Sequence, residues 1–208
     1  MTTIQKATAR ELLSIGAVFL RPEDPFTWAS GIKSPIYCDN RLILTAPSAR
    51  KVVEQAIADT VKAEYPEVEV LMGTSTAGIA HAAIAASILD LPMGYVRSSA
   101  KDHGRGNKIE GRLEKGAKVV VIEDLISTGG SCLDVVNALR EAGAEVLGVV
   151  SIFTYGMAKG KAAFEAAGVR YVSLSNLESL LEVAAEEGYI NEEGKQAVLK
   201  FRSETLDA

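Results

Sequence analysis

The chain has 208 residues, of which 48% are hydrophobic and 24% charged, enough to bury one sizeable core and a small accessory lobe. A net charge of −5 argues against a general nucleic-acid-binding surface. No apolar run approaches the roughly 18 residues of a membrane span, and Met1 to Arg10 lacks a signal-peptide core, so a cytoplasmic location is expected. Cys38 and Cys132 lack the spacing of a metal site or disulfide framework and read as free thiols.

In chain order, Ile4 to Ile15 has helical apolar spacing, and Val18 to Leu20 reads as a short strand. Pro22 to Pro35, rich in Pro, Gly, Ser and aromatics, reads as loop or hairpin, followed by a strand at Ile36 to Asp39. Pro47 to Glu64 is helical by period, with Val52, Val53, Ala56, Ile57 and Val61 on one face. An α/β alternation then begins: strand Val68 to Met72, turn Gly73 to Gly78, helix Ile79 to Leu89, strand Met93 to Val96. Ser98 to Leu113 is polar and aperiodic, as functional loops in compact domains are. Beyond it come strand Val119 to Ile122, a helix after Ser131 with Cys132, Leu133, Val135, Val136 and Leu139 apolar and Gly143 past its end, strand Val146 to Phe153, helix Lys159 to Ala167, strand Tyr171 to Leu174 and helix Leu177 to Glu187.

The most informative stretch is Lys118 to Ser131. A run of Val and Ile, too short for a helix, predicts a central parallel strand buried on both faces. Glu123 and Asp124 fall at its carboxyl end, where open α/β sheets bind ligands. The small residues Ser127, Thr128, Gly129, Gly130 and Ser131 let backbone N–H groups close on an anion, and Ser131 is placed to N-cap the next helix. Phosphate suits such a loop. The pattern is neither a Walker loop nor a dinucleotide fingerprint, since two acids replace the spaced glycines.

A second cluster lies in the polar loop. Four cations, Arg97, Lys101, Arg105 and Lys108, stand against one acid, Asp102, which gives +3 inside an acidic chain. Interleaved glycines permit opening and closing, so the loop reads as a lid over an anionic substrate.

The segment from Lys118 to Ser131 resembles the signature of the type I phosphoribosyltransferases, in which a hydrophobic run precedes two acids and a Thr-Gly loop. Lys101-Asp102-His103-Gly104 is similar to the catalytic loop of the orotate phosphoribosyltransferases, and Phe26 to Pro35 to their base-side hairpin. That resemblance implies an α/β type I phosphoribosyltransferase fold: a mostly parallel central sheet flanked by helices, with a small N-terminal lobe. The chain is then a single domain, 1–208, whose lobe spans about 1–45 and whose core spans about 46–208.

It also implies transfer of the 5-phosphoribosyl group from 5-phosphoribosyl 1-diphosphate (PRPP) to orotate. By that likeness Glu123 and Asp124 hold the ribose hydroxyls, and Leu125, Ile126 and Ser127 to Ser131 cradle the 5′-phosphate. Thr74, Ser75 and Thr76 meet the pyrophosphate, and Arg97, Lys101 and His103 neutralise it as it leaves. Ser127 lies near the base. Mg²⁺ is the implied cofactor, held mainly by substrate and reaching Asp124 through water. A homodimer is implied too, with the 98–108 loop reaching the partner's site.

Four positions depart from better-known relatives: Thr76-Ala77 replaces Tyr-Lys, Ser98 a lysine, and Tyr155 an arginine. Residues 152–156 instead resemble a Gram-positive-type subgroup. The holders of the orotate carboxylate are therefore open: Lys33 and Arg41 are the nearest cations, Lys33 being either a ligand or a solvated hairpin residue. Tyr37 either stacks on the pyrimidine or is a core aromatic. The signature alone also fits transfer to a purine, or a regulator that senses PRPP without turnover. The Lys-Asp-His-Gly loop favours orotate, and the absence of a helix-turn-helix domain disfavours the regulator.

Overall fold

The computed structural model describes residues 2–27, 33–98 and 108–207. Its centre is a six-stranded sheet built from β5 (Val70–Thr74), β6 (Met93–Val96), β7 (Ile109–Glu110), β8 (Lys118–Ile126), β9 (Glu145–Thr154) and β10 (Tyr171–Asn176). The order across the sheet is β10-β9-β8-β5-β6-β7, all parallel except the β6/β7 edge. Val119 to Ile122 are fully buried, as a strand covered on both faces requires.

Helix α3 (Ala77–Leu89) carries the chain from β5 outward to β6, whereas α4 (Gly130–Glu141) carries it from β8 to β9. The sheet therefore reverses its direction of growth between β5 and β8. One face packs Leu71, Val120, Ile122 and Val150 against α1 (Thr3–Ser14), α2 (Pro47–Glu64), α3 and α6 (Leu177–Glu186). The other packs Met72, Val119, Val121 and Val149 against α4 and α5 (Ala158–Ala166). Adjacent carboxyl strand ends whose helices leave on opposite faces open a crevice between them.

Before the sheet, β1 (Val18–Leu20) pairs antiparallel with β4 (Ile36–Cys38), and β2 (Phe26–Thr27) with β3 (Lys33–Ser34). A 3₁₀ turn over Asn40–Thr45 leads into α2. At the other end, α7 (Glu192–Phe201) follows α6.

Several expectations shift. The chain turns on itself after Tyr65, where Val68 N–H bonds the Tyr65 carbonyl, so β5 starts at Val70 rather than Val68. Strand β8 runs on through both acids to Ile126, because β9 continues beside it as far as the Ile126–Thr154 pair. The short β7, inside the stretch read as loop, and α7 both lack a long apolar run to betray them.

Helix α2 keeps its predicted bounds but turns a different face inward: Val52 is 38% exposed and Ala56 half-buried, while Glu54 is buried with Val53, Ile57 and Val61. Glu54 accepts or shares the proton of His81 Nδ1 on α3 at 2.6 Å, both side chains being closed to solvent. The contact offsets part of the cost of burying these groups, although Glu54 Oε2 and His81 Nε2 are buried without a hydrogen-bond partner among the described residues. It fixes α3, and with it the turn that enters α3, against α2.

Candidate active site

The crevice between β5 and β8 is a cavity of about 330 Å³. Thr74, Ser75 and Thr76 line it from one strand end, Glu123, Asp124 and Leu125 from the other, with Arg97 and Ser131 at its rim. Eight of the sequence-predicted ligands thus converge on one space.

Glu123 is its most constrained member. Its Oε1 accepts from the Thr74 hydroxyl at 2.8 Å and from the Asp124 backbone N–H at 2.9 Å, while the residue is 6% exposed. Burial, reinforced by the neighbouring Asp124 carboxylate, pushes its pKa up to about 8 against the opposing pull of those donors. Burial therefore favours the protonated carboxyl, and a hydroxyl-bearing ligand that donates to it favours the ionised form.

Beyond Ile126, Ser127 and Thr128 are exposed and Gly129 adopts φ +79° as the N-cap of α4. The expected capping role of Ser131 fails for this reason. The chain enters the helix two residues earlier through a left-handed conformation that suits glycine, leaving Ser131 in the first turn, facing the cavity. The first N–H groups of α4 have no intrahelical carbonyl and open toward the same loop, which makes an anion cradle. The cradle is stiff: a Cβ on Gly129 would meet Phe164 at 2.6 Å, and one on Gly160 would meet the Ser127 carbonyl at 2.6 Å. Ile126 contributes no side chain, being buried with its carbonyl engaged by Tyr155 N–H and the Thr154 hydroxyl.

On the opposite wall, Gly78 lets α3 begin against β8, since a Cβ there would lie 2.5 Å from both the Ile122 carbonyl and the Thr74 hydroxyl. The peptide bond between Ser75 and Thr76 is cis, and Ser75 N–H bonds the Val96 carbonyl. Arg97 reaches Glu110 at 3.6 Å. Lys101 and His103, assigned to catalysis from the sequence, lie outside the described residues.

The base-side candidates are not in this cavity. Lys33 is exposed on β3, and Tyr37, 39% exposed, packs its ring 5.9 Å from that of Phe26. Arg41 makes a bidentate pair with Asp39 at 2.6 and 2.8 Å, which holds the Asp39 carboxyl below its ordinary range. Tyr155, standing where relatives carry arginine, is buried against Phe153 rather than facing ligand. Sequence reading passed over Asp134 and Asn40. Asp134 lines the cavity one helical turn after Ser131, a spacing visible in the sequence, whereas nothing local marks Asn40.

A switch-point crevice with two acids on one strand end and an N–H cradle beyond them defines a sugar-phosphate-binding α/β domain. Residues 41–175 match the phosphoribosyl transferase domain model. A curated orotate phosphoribosyltransferase from Listeria monocytogenes is 56% identical over 200 residues, 96% of each chain. The orotate phosphoribosyltransferase structure from Aeropyrum pernix superposes with a TM-score of 0.75 at 32% identity, covering 88% of this chain and 99% of that one. A Mycobacterium tuberculosis orotate phosphoribosyltransferase solved in complex with PRPP gives a TM-score of 0.65 at 25% identity, over 85% and 98%. The chain belongs to the orotate phosphoribosyltransferase family.

The raised pKa of Glu123 makes a prediction for the ligand-free protein. A group whose folded pKa exceeds its unfolded value stabilises the fold fully below the unfolded value and ceases to do so as pH rises through the folded one. Thermal stability should therefore decline between about pH 4.5 and about pH 8, and Glu123→Gln should flatten that part of the profile. A Glu123→Gln profile parallel to wild type would show that the proton resides elsewhere.

Proposed function

We propose that the crevice transfers the 5-phosphoribosyl group of PRPP to orotate, giving orotidine 5′-monophosphate and pyrophosphate; the relatives are named orotate phosphoribosyltransferases. The observation that carries the reading is the pair Glu123 and Asp124 set between the Thr74–Thr76 turn and the cradle of Ser127 to Ser131. In this assignment the two carboxyls hold the ribose hydroxyls, the cradle takes the 5′-phosphate, and Thr74, Ser75, Thr76 and Arg97 receive the pyrophosphate. Lys33 and Tyr37 serve the base from a lobe of about residues 1–45, and Ser127 from the core, on a single domain.

The anomeric carbon gains oxocarbenium character as pyrophosphate leaves, and the orotate nitrogen attacks from the opposite face. No covalent nucleophile is required. The protein's work is to align the two reactants, supply donors to the departing phosphates and exclude water that would hydrolyse PRPP. Lys101 and His103 are assigned to that electrostatic task from the sequence alone.

Mg²⁺ fits the donor set: Glu123 and Asp124 are hard oxygen groups, yet the described residues hold no cluster of three side chains able to bind an ion alone. The ion would be carried by substrate oxygens with Asp124 behind a water, supplying positive charge against the pyrophosphate. A cytoplasmic setting accords with the absence, among the described residues, of any helix long and apolar enough to cross a membrane. A homodimer accords with α3, a mostly apolar helix that leaves Ala83 and Ile88 exposed along with Ser87, and with the exposed Val52 of α2.

The test of the reaction is to offer PRPP and Mg²⁺ with orotate, adenine, guanine or hypoxanthine and to follow base absorbance and pyrophosphate release. Turnover with orotate alone is expected. Turnover with a purine, or PRPP binding without turnover on any base, would overturn the reading. If the 98–108 loop crosses to the partner's site, mixing Lys101→Ala with Asp124→Asn chains should restore activity well above either parent once subunits exchange, because a hybrid then holds one intact site. Unchanged activity after exchange is demonstrated by mass would confine the loop to its own chain.

A further inference from the structure

The N-terminal segment enters the site through a buried side chain. Asn40, 1% exposed at the start of the 3₁₀ turn, donates from Nδ2 to the backbone carbonyl of Asp124 at 2.7 Å. Its Oδ1 accepts from the Cys38 thiol at 3.3 Å. These two partners, one an acceptor and the other a donor, fix which way the amide points.

The location matters more than the count. The β5–β8 ladder ends at the Gly73–Ile122 pair, so the stretch of β8 that carries the acids runs past the end of β5. There Asn40 meets Asp124 from the N-terminal side. Cys38 closes β4, the strand that also bears Tyr37, and Tyr155 at the end of β9 is hydrogen-bonded to the Cys38 backbone. A chain of buried polar contacts thus joins the base-side strand to the backbone of the ribose-side acid.

Resting on the reading that Asp124 holds ribose, we propose that Asn40 is a positioning residue for that acid: its amide sets the Asp124 backbone and hence the reach of the carboxylate into the crevice. Removing the amide leaves a buried carbonyl without its donor, and the backbone relaxes to find another. PRPP recognition suffers first. Orotate recognition suffers far less, since it draws on other residues.

The test compares three variants of the full-length protein. Asn40→Leu should raise KM for PRPP about tenfold or more while changing that for orotate much less. Ile43→Val, fully buried in the same turn, serves as a control for packing loss alone and should alter neither. Asn40→Asp should show a PRPP kcat/KM, relative to wild type, that falls as pH rises, because only the protonated acid can donate to the Asp124 carbonyl. This variant carries the test if Asn40→Leu does not fold. Equal shifts for both substrates, an Ile43→Val effect of the same pattern, or a pH-independent Asn40→Asp ratio would overturn the proposal. Calorimetric titration with PRPP and Mg²⁺ in the absence of any base separates the two levels. Weakened binding in the Asn40 variants of a protein that does not turn over orotate would sink the reaction while sparing the positioning role.

Discussion

The site depends on a carboxyl group that is almost wholly withdrawn from water at the wall of the crevice. Glu123 sits where β5 and β8 part, held by the Thr74 hydroxyl and the Asp124 N–H, and burial makes its ionised form costly. Such a group is a liability in an ordinary core. Here it is kept at a crevice that the sheet must open, because α3 and α4 leave its two central strands on opposite faces. A ligand with hydroxyls to donate relieves the cost, so the cavity is prepared for a polyol before it meets one.

Close backbone approach does the rest. Gly78 seats α3 against the carbonyl of Ile122, and Gly129 and Gly160 seat the cradle on α5 and Phe164. At each, a Cβ would collide with backbone or with a buried ring, so the N–H groups around the anion are held by packing rather than by flexible side chains. Preorganised donors of this kind favour developing charge without reorganising during the reaction. The buried Glu54–His81 pair and the Asn40 amide extend the same principle, tying α3 to α2 and Asp124 to the N-terminal strands.

Five of the six strands of the sheet were legible from the sequence because each carries a short apolar stretch bounded by turn residues, and Val119 to Ile122, the unbroken run of Val and Ile, proved buried on both sides as that pattern requires. The gathering of Thr74, Arg97, Glu123, Asp124 and Ser131 about one cavity was legible too, since Thr74 and Arg97 fall at strand ends, the two acids follow the apolar run of a third strand, and Ser131 stands at the start of a helix. What the sequence hid were tertiary choices. Helix α2 rotates to bury Glu54 instead of Val52, a preference set by His81 some 27 residues away. Gly129 takes the cap from Ser131 because its left-handed backbone lets the helix start early. Asn40 meets Asp124 across 84 residues, and no periodicity encodes that.

The central claim is that ribose hydroxyls take over the buried carboxyl of Glu123 on binding. Titration calorimetry of PRPP with Mg²⁺ near pH 7, run in buffers of different ionisation enthalpy, measures the protons that move. The account predicts that wild type releases more protons than Glu123→Gln, because hydroxyl donors favour the ionised carboxylate and lower its pKa. Equal proton release from the two proteins, or a wild type that takes protons up relative to the variant, would contradict it.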